Sequence, residues 1–278
     1  MGVGREKKVG EKQYPDSVIR FIATVGCLYG LPYRQCIGLV ISILKMSGHG
    51  GLRLPNYSTI CRRLASLSVE VSVSLELGES LSIAIDSTGL KVFGEGEWKV
   101  RRYGFCKRRK WMKLHLVIDV ETQEILLVDL TENGKHDADA GAKMLEGKTA
   151  DISECVADGA YDKFGFRLAL GDRMKQVIPP PKNAVATGPD KDGKVAAHLS
   201  QRNEALLTIS VKGRCEWKKD MGYHRRSRSE VAMYRFKNTF GDKMKTRKIG
   251  NQLIEVKMKC AILNKNREIG MPRSIKVA

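Results

Sequence analysis

Apolar and polar positions fall into two textures that meet near residue 70. Residues 1–13 are polar, glycine-containing and charged, which predicts a loose basic arm. From Tyr14, "YPDSVIRFIATVGCLYGLPYRQCIGLVISILKM" reads as two apolar-faced helices. Asp16 or Ser17 can cap the first, Gly30 can end it, and Pro32 suits the first turn of the second. A loop, "SGHGGLRLPNY", leads to a short basic helix beginning at Ser58, "STICRRLASL". Beyond residue 70 the apolar runs shorten and become strand-like: "SLSIAIDSTGLKVF" (80–93), "KLHLVIDV" (113–120), "EILLVDLT" (124–131), "DISECVADG" (151–159) and "KQVIPPP" (175–181). "ETQE" is short enough to close a hairpin between the second and third. Helices are predicted at 137–147, with Asp137 as cap, at "AYDKFGFRLAL", at "RNEALLTISVKG", at "SRSEVAMYRFKNTF" and at "NQLIEVKMKCAILNKNREIG". Residues 182–200 show no period and predict an irregular insertion. The order is that of an α/β fold, a mixed sheet with helices. It divides the chain into an arm (1–13), a helical region (14–70) and a larger domain (76–272).

Composition narrows the function. The 278 residues carry a formal net charge of +18 and a sequence pI of about 9.7, with 42% hydrophobic residues. That is enough apolar content for a core, and the excess of cations points to a polyanionic partner, nucleic acid above all. Three compact helices ending in a basic one fit a helix-turn-helix unit or a plain bundle, and Arg62 and Arg63 do not choose between them. The seven cysteines lack zinc spacing, as do His49, His115, His136, His198 and His224. The longest apolar stretch, 36–46, is too short to span a bilayer. A cytoplasmic protein with no membrane partner is expected.

Candidate chemistry lies in three acids set among bases. "LSIAID" delivers Asp86 to a strand end, and "ECVAD" delivers Asp158. Carboxylates there are costly unless paired, and ligands of open α/β sheets gather beyond strand ends. "DSTG" and "DG" are equally turn sequences in which Asp bonds nearby backbone. The stretch "GYHRRSRSEVAMYRFK" (222–237) holds one acid, Glu230, among five Lys and Arg residues. Ser227-x-x-Glu230 matches a capping box. At about 100° per residue, Arg226, Glu230 and Lys237 also share one helical stripe, which Tyr223 joins only if the helix begins early. A first-turn Glu can cap and also ligate, so both readings stand. The segment 98–113 has eight cations, among them Arg101, Arg102, Lys107, Arg108 and Arg109, interleaved with Trp98, Tyr103, Phe105 and Trp111. Cations suit phosphates, and aromatic faces suit unstacked bases.

The pattern Y-x-x-R-x-x-x-E-x-x-x-x-x-x-K, present as Tyr223, Arg226, Glu230 and Lys237, resembles the signature around the third acid of DDE transposases of bacterial insertion sequences. "AIDSTGLKVFGEGEWKVRRYG" with "KRRKWMKLHLVID" resembles the first-acid region of the insertion-sequence five family, and "VADGAYD" its second-acid motif. "LNKNREIGMP", "YGLPYRQCIGLV" and "PNYSTICRR" are similar to its C-terminal and N-terminal parts, so the likeness spans roughly residues 14–272. It implies a ribonuclease H-like core with Asp86, Asp158 and Glu230 as metal-holding catalytic acids. It implies two Mg²⁺ ions per site, with Mn²⁺ as the alternative. Tyr223, Arg226, Lys237 and the 98–113 segment would contact DNA. The implied reaction is cut-and-paste movement of an insertion sequence: hydrolysis at terminal inverted repeats, then strand transfer into target DNA. The implied partners are double-stranded DNA and, when DNA-bound, a second copy of the chain, with no small-molecule substrate. Family members usually carry a longer stretch before the region matching Tyr14, which raises the expectation of a truncated or misassigned start. A non-catalytic regulatory derivative and a ribonuclease H-like nuclease are the two rival readings.

Overall fold

A computed structural model of the chain describes residues 14–72, 80–92, 111–149, 151–188 and 195–270. Two compact units divide at Ser68/Val69. The first holds α1 (Asp16–Leu28), α2 (Tyr33–Met46) and α3 (Tyr57–Leu64). Their apolar stripes supply a small core of Ile19, Ile22, Cys36, Val40, Ile60 and Leu64. Two expected caps are corrected here. Pro15 and Pro32 occupy the N-cap positions of α1 and α2, and neither position carries a side-chain cap bond. Asp16 instead pairs with Arg63, whose guanidinium also donates to the Tyr14 carbonyl. Arg63 is therefore engaged inside the unit, while Arg62 stays exposed.

The second unit is built on a five-stranded sheet among the described residues, in the order β3-β2-β1-β4-β5. The strands are β1 (Leu81–Lys91), β2 (Trp111–Asp119), β3 (Ile125–Glu132), β4 (Ile152–Val156) and β5 (Lys175–Val177). β1, β2 and β3 pair antiparallel, while β4 joins β1, and β5 joins β4, in parallel. The helices are α4 (Asp137–Leu145), α5 (Phe164–Leu170), α6 (Ala197–Lys212), α7 (Arg214–Asp220), α8 (Ser227–Phe240) and α9 (Ile249–Ile269). α7 was not anticipated, because its seven residues carry no apolar period. His136, without a cap bond, precedes α4 where Asp137 was expected to cap it. α6 begins at Ala197, inside the expected insertion.

Side-chain alternation sorts the sheet into two faces. Ile83, Ile85, Val117, Cys155 and Ala157 pack against α4 and α5 through Leu145, Phe166 and Leu170. Ala84, Leu114, Leu116 and Val156 pack against α8 and α9 through Ala232, Phe236, Val256 and Cys260. Full burial of the Val, Leu, Ile and Phe side chains among them contributes about 1.5–3 kcal/mol each. Helices on both faces of a mixed sheet make this the ribonuclease H-like arrangement. Buried polar groups tie its pieces together. Glu255 on α9 accepts from the backbone N–H groups of Lys245 and Thr246 and from Lys259 Nζ at 2.7 Å, fastening the α8–α9 connection. Asn264 accepts from Ile125 N at 2.9 Å, beside the register shift between β2 and β3.

Candidate active site

Asp86 does not end its strand as the sequence suggested. β1 continues to Lys91 because its antiparallel partner β2 pairs with it that far, whereas β4 stops at Val156. Ala84 and Val156 are the last parallel pair. Two residues further along each chain lie Asp86 and Asp158. Asp158 keeps an extended backbone (φ −77°, ψ 174°), so the two-residue period holds and both acids share the α8/α9 face. Asp86 Oδ1 accepts from the Ser87 N–H at 2.8 Å, and Asp158 Oδ1 from the Ala160 N–H at 2.9 Å. The turn reading holds for Asp158 alone, which opens the 3₁₀ turn Gly159–Tyr161, whereas Asp86 lies inside a continuous strand; each keeps a second carboxylate oxygen.

Glu230 arrives on the first turn of α8. Gly222, at φ +66°, reverses the chain after α7, and a 3₁₀ turn over Tyr223–Arg226 runs directly into α8. This corrects the capping-box reading. Ser227 is not the cap, since its N–H already bonds the His224 and Arg225 carbonyls, and Arg226 before it is helical. The guanidinium of Arg226 instead joins the acids, with Nη1 at 3.3 Å from Asp86 Oδ2 and Nη2 on Glu230 Oε1. Ser229, fully buried, presents Oγ to Asp86 Oδ2 at 3.4 Å. About two turns beyond Ser229, Lys237 Nζ donates to Thr88 Oγ1, two residues past Asp86 on the same face. Tyr223 lies with its ring 4.8 Å from Lys218 Nζ and 6.0 Å from Arg226 Cζ.

Sequence reasoning missed Ser229 and Thr88, although Thr88 shares the parity of Asp86 and Ser229 adjoins Glu230. It also missed Arg225. That side chain pairs with Glu154, a 6% exposed carboxylate on β4 with the parity of Asp158, and so pins the 3₁₀ turn to the sheet. A further network follows Asp158. The Asp162 carboxylate accepts Arg167 Nε at 2.6 Å and Arg202 Nε at 3.1 Å, and Arg167 reaches Gln176 and the Ile178 carbonyl. It locks the turn after the second acid to α5, α6 and β5. Of the basic 98–113 segment, Arg101, Arg102, Lys107, Arg108 and Arg109 lie outside the described residues. Trp111 is partly exposed at the start of β2, over Gly89 and 5.4 Å from Lys91 Nζ.

A family profile described as "Transposase DDE domain" matches residues 78–265, more than half of the chain, and a second with the same description matches residues 2–95. The chain belongs to the DDE transposase family. Transposase domains of this kind conventionally act with a divalent metal, so the fit of the residues can be tested. Carboxylate oxygens from Asp86, Asp158 and Glu230 are the donor type that hard divalent ions take. Electrostatics brings the three acids into one field. Burial pushes the Asp86 carboxyl above its ordinary value of 3.8, and Asp158 and Glu230 push the same way, against the Ser87 amide and Arg226. Burial also raises the Tyr223 hydroxyl, again with the three acids, so it remains a donor. Burial opposes the charge of Arg226, but Tyr223 and the acids outweigh it and hold the guanidinium protonated. The donor set fits a divalent ion. Among the described residues, no three His, Cys, Asp or Glu side chains converge closely enough to hold one in this conformation. No single described helix is long and apolar enough to cross a membrane.

Proposed function

We propose that this transposase moves a bacterial insertion sequence of the insertion-sequence five family by cut-and-paste transposition, with Asp86, Asp158 and Glu230 as its catalytic acids. The observation that carries the reading is the shared face of Asp86 and Asp158 across the parallel β1–β4 pair, with α8 docked on Asp86 through Arg226 and Ser229. Asp86, Asp158 and Glu230 would hold the divalent ions, two Mg²⁺ or Mn²⁺ per site. When bound, such ions stabilise charge on the attacking and leaving oxygens of an in-line phosphoryl displacement.

The chain's own residues perform the remaining work. Arg226 and Lys237 bind phosphate oxygens at the site, Arg226 as a two-pronged donor and Lys237 as a point charge. Tyr223 donates its hydroxyl or stacks on a base. Trp111 and the cations of 98–113 follow the DNA backbone, and residues 14–70 engage the element ends. In the first step, water attacks the phosphodiester at the element's end and the P–O3′ bond breaks, leaving a 3′-hydroxyl. In the second, that hydroxyl attacks a phosphodiester of target DNA, forming a new P–O3′ bond as the target's own P–O3′ bond breaks and leaves a 3′-hydroxyl on the target strand. A homodimer on DNA would bring the two ends together, in the cytoplasm at the nucleoid.

Purified protein is tested on duplex DNA carrying the element's terminal inverted repeats. Asp86→Asn, Asp158→Asn and Glu230→Gln should each lose cleavage and keep duplex binding. Normal cleavage by Glu230→Gln rejects the assignment of the third acid. Equal cutting of scrambled ends would favour a nuclease, and binding without any cutting by the parent protein would favour a regulatory derivative.

A further inference from the structure

The Arg226 guanidinium lies between two of the three proposed metal-holding acids. Its fork reaches Asp86 on β1 and Glu230 one turn along α8, and it is itself only partly exposed. A guanidinium stays protonated at any working pH, so it is a cation there. One positive charge thus already offsets carboxylates that a divalent ion would share. A divalent ion entering beside it would meet a like charge and would compete for the same oxygens. That arrangement accounts for the two features found together: a donor set suited to a divalent ion, and no convergent three-acid cluster among the described residues.

We infer that Arg226 is an internal counter-cation, which holds the acids apart from metal until a DNA phosphate draws it away. The inference rests on the metal-site reading above and adds its regulation. The release direction is visible in the geometry. Glu230 is half exposed (54%), whereas Asp86 is largely buried (17%), so the fork can open on its solvent side. Phosphate oxygens accept two parallel N–H bonds from a guanidinium as carboxylates do. The exchange therefore trades one anionic partner for another and frees two carboxylates. DNA and divalent ions should bind with positive coupling, and by linkage each should tighten the other by the same factor.

The test is Mn²⁺ binding, read as free Mn²⁺ by electron paramagnetic resonance, with and without a duplex whose own Mn²⁺ uptake is subtracted. Duplex should tighten Mn²⁺ binding to the parent protein within the roughly 5–150-fold range of site coupling. Arg226→Gln should bind Mn²⁺ about tenfold more tightly without DNA and lose most of the DNA-induced gain. Should Arg226→Gln fail to fold, Arg226→Lys serves, because a single ammonium cannot bridge both carboxylates as a planar fork does. It should show part of the same tightening. Unchanged or weaker Mn²⁺ binding without DNA by the folded variant overturns the inference. So does a DNA-induced gain as large as the parent's, which would mean that phosphates act as metal ligands themselves. Adding Asp86→Asn to Arg226→Gln separates the two levels. Lost Mn²⁺ binding keeps the acid site, whatever Arg226 does. Undiminished binding removes that site, and the inference with it.

Discussion

Asp162→Asn offers the sharpest test of how the turn after Asp158 is held. The Asp162 carboxylate is 1% exposed and shared by Arg167, also 1% exposed, and Arg202, 16% exposed. The amide keeps the shape and one acceptor oxygen but removes the charge. Two guanidiniums then face each other, one with no route to water. Breaking a buried ion pair by neutralising one partner costs about 3–5 kcal/mol, since the other charge stays uncompensated. Arg202 can swing partly into solvent, which favours the lower end of that range. For a unit of this size, each kcal/mol lowers Tm by roughly 2–4 °C, so a drop of about 6–20 °C is expected in calorimetry. The loss should be local as well as global. Amide hydrogen exchange at Ala160 and Tyr161 should accelerate, because the turn is tied down at Asp162. A loss below about 1 kcal/mol would show that the pair behaves as a solvated surface bridge, and the positioning argument would fail.

Gly141→Ala on α4 should destabilise although Ala favours helix by about 1 kcal/mol. A Cβ there would sit 2.8 Å from Phe166 and 2.9 Å from Ile85, and overpacking of this kind costs about 1–3 kcal/mol; a rise in the urea midpoint would contradict it. Glu255 sets an acid limit. Burial pushes its carboxyl up, but Lys259 and the Lys245 and Thr246 donors outweigh burial and hold it below its ordinary value of 4.5. A depressed folded value stabilises fully above the unfolded value and loses that contribution as pH falls through the folded one. Urea unfolding from pH 7 down through the region below about 4.5 should therefore show a smaller acid loss in Glu255→Gln than in the parent; parallel curves would refute it. Lys237→Ala should weaken duplex binding evenly across sequences and reduce the log–log salt slope by about 1. An unchanged slope would mean that Lys237 serves Thr88 alone.

Much of the fold was legible because its elements are long and locally consistent. β1, β2 and β3 are apolar runs with clear boundaries, and α8 and α9 were predicted within two residues of their limits. What failed was local in another way. The caps expected of Asp16, Asp137 and Ser227 rest on side chains competing for backbone N–H groups. Prolines, a neighbouring histidine and an incoming 3₁₀ turn had already settled those positions. α7 escaped because its seven residues, largely charged, carry no apolar period.

For the candidate site, sequence alone determined the parity of each strand, the stripe of Arg226, Glu230 and Lys237 with Tyr223 three residues before it, and the basic setting of a lone acid. Those follow from covalent order and fixed periods, two per strand and 3.6 per helix turn. The pairing of β1 with β4 in parallel, in the register that carries Asp86 and Asp158 past Ala84 and Val156, was decided only in three dimensions. So was the place of Arg226 between Asp86 and Glu230, across 140 residues of chain. No local period encodes which strand lies beside which, or which carboxylate a cation reaches. Burial of both sheet faces selects the first, and the electrostatic cost of leaving half-buried charges unpaired selects the second.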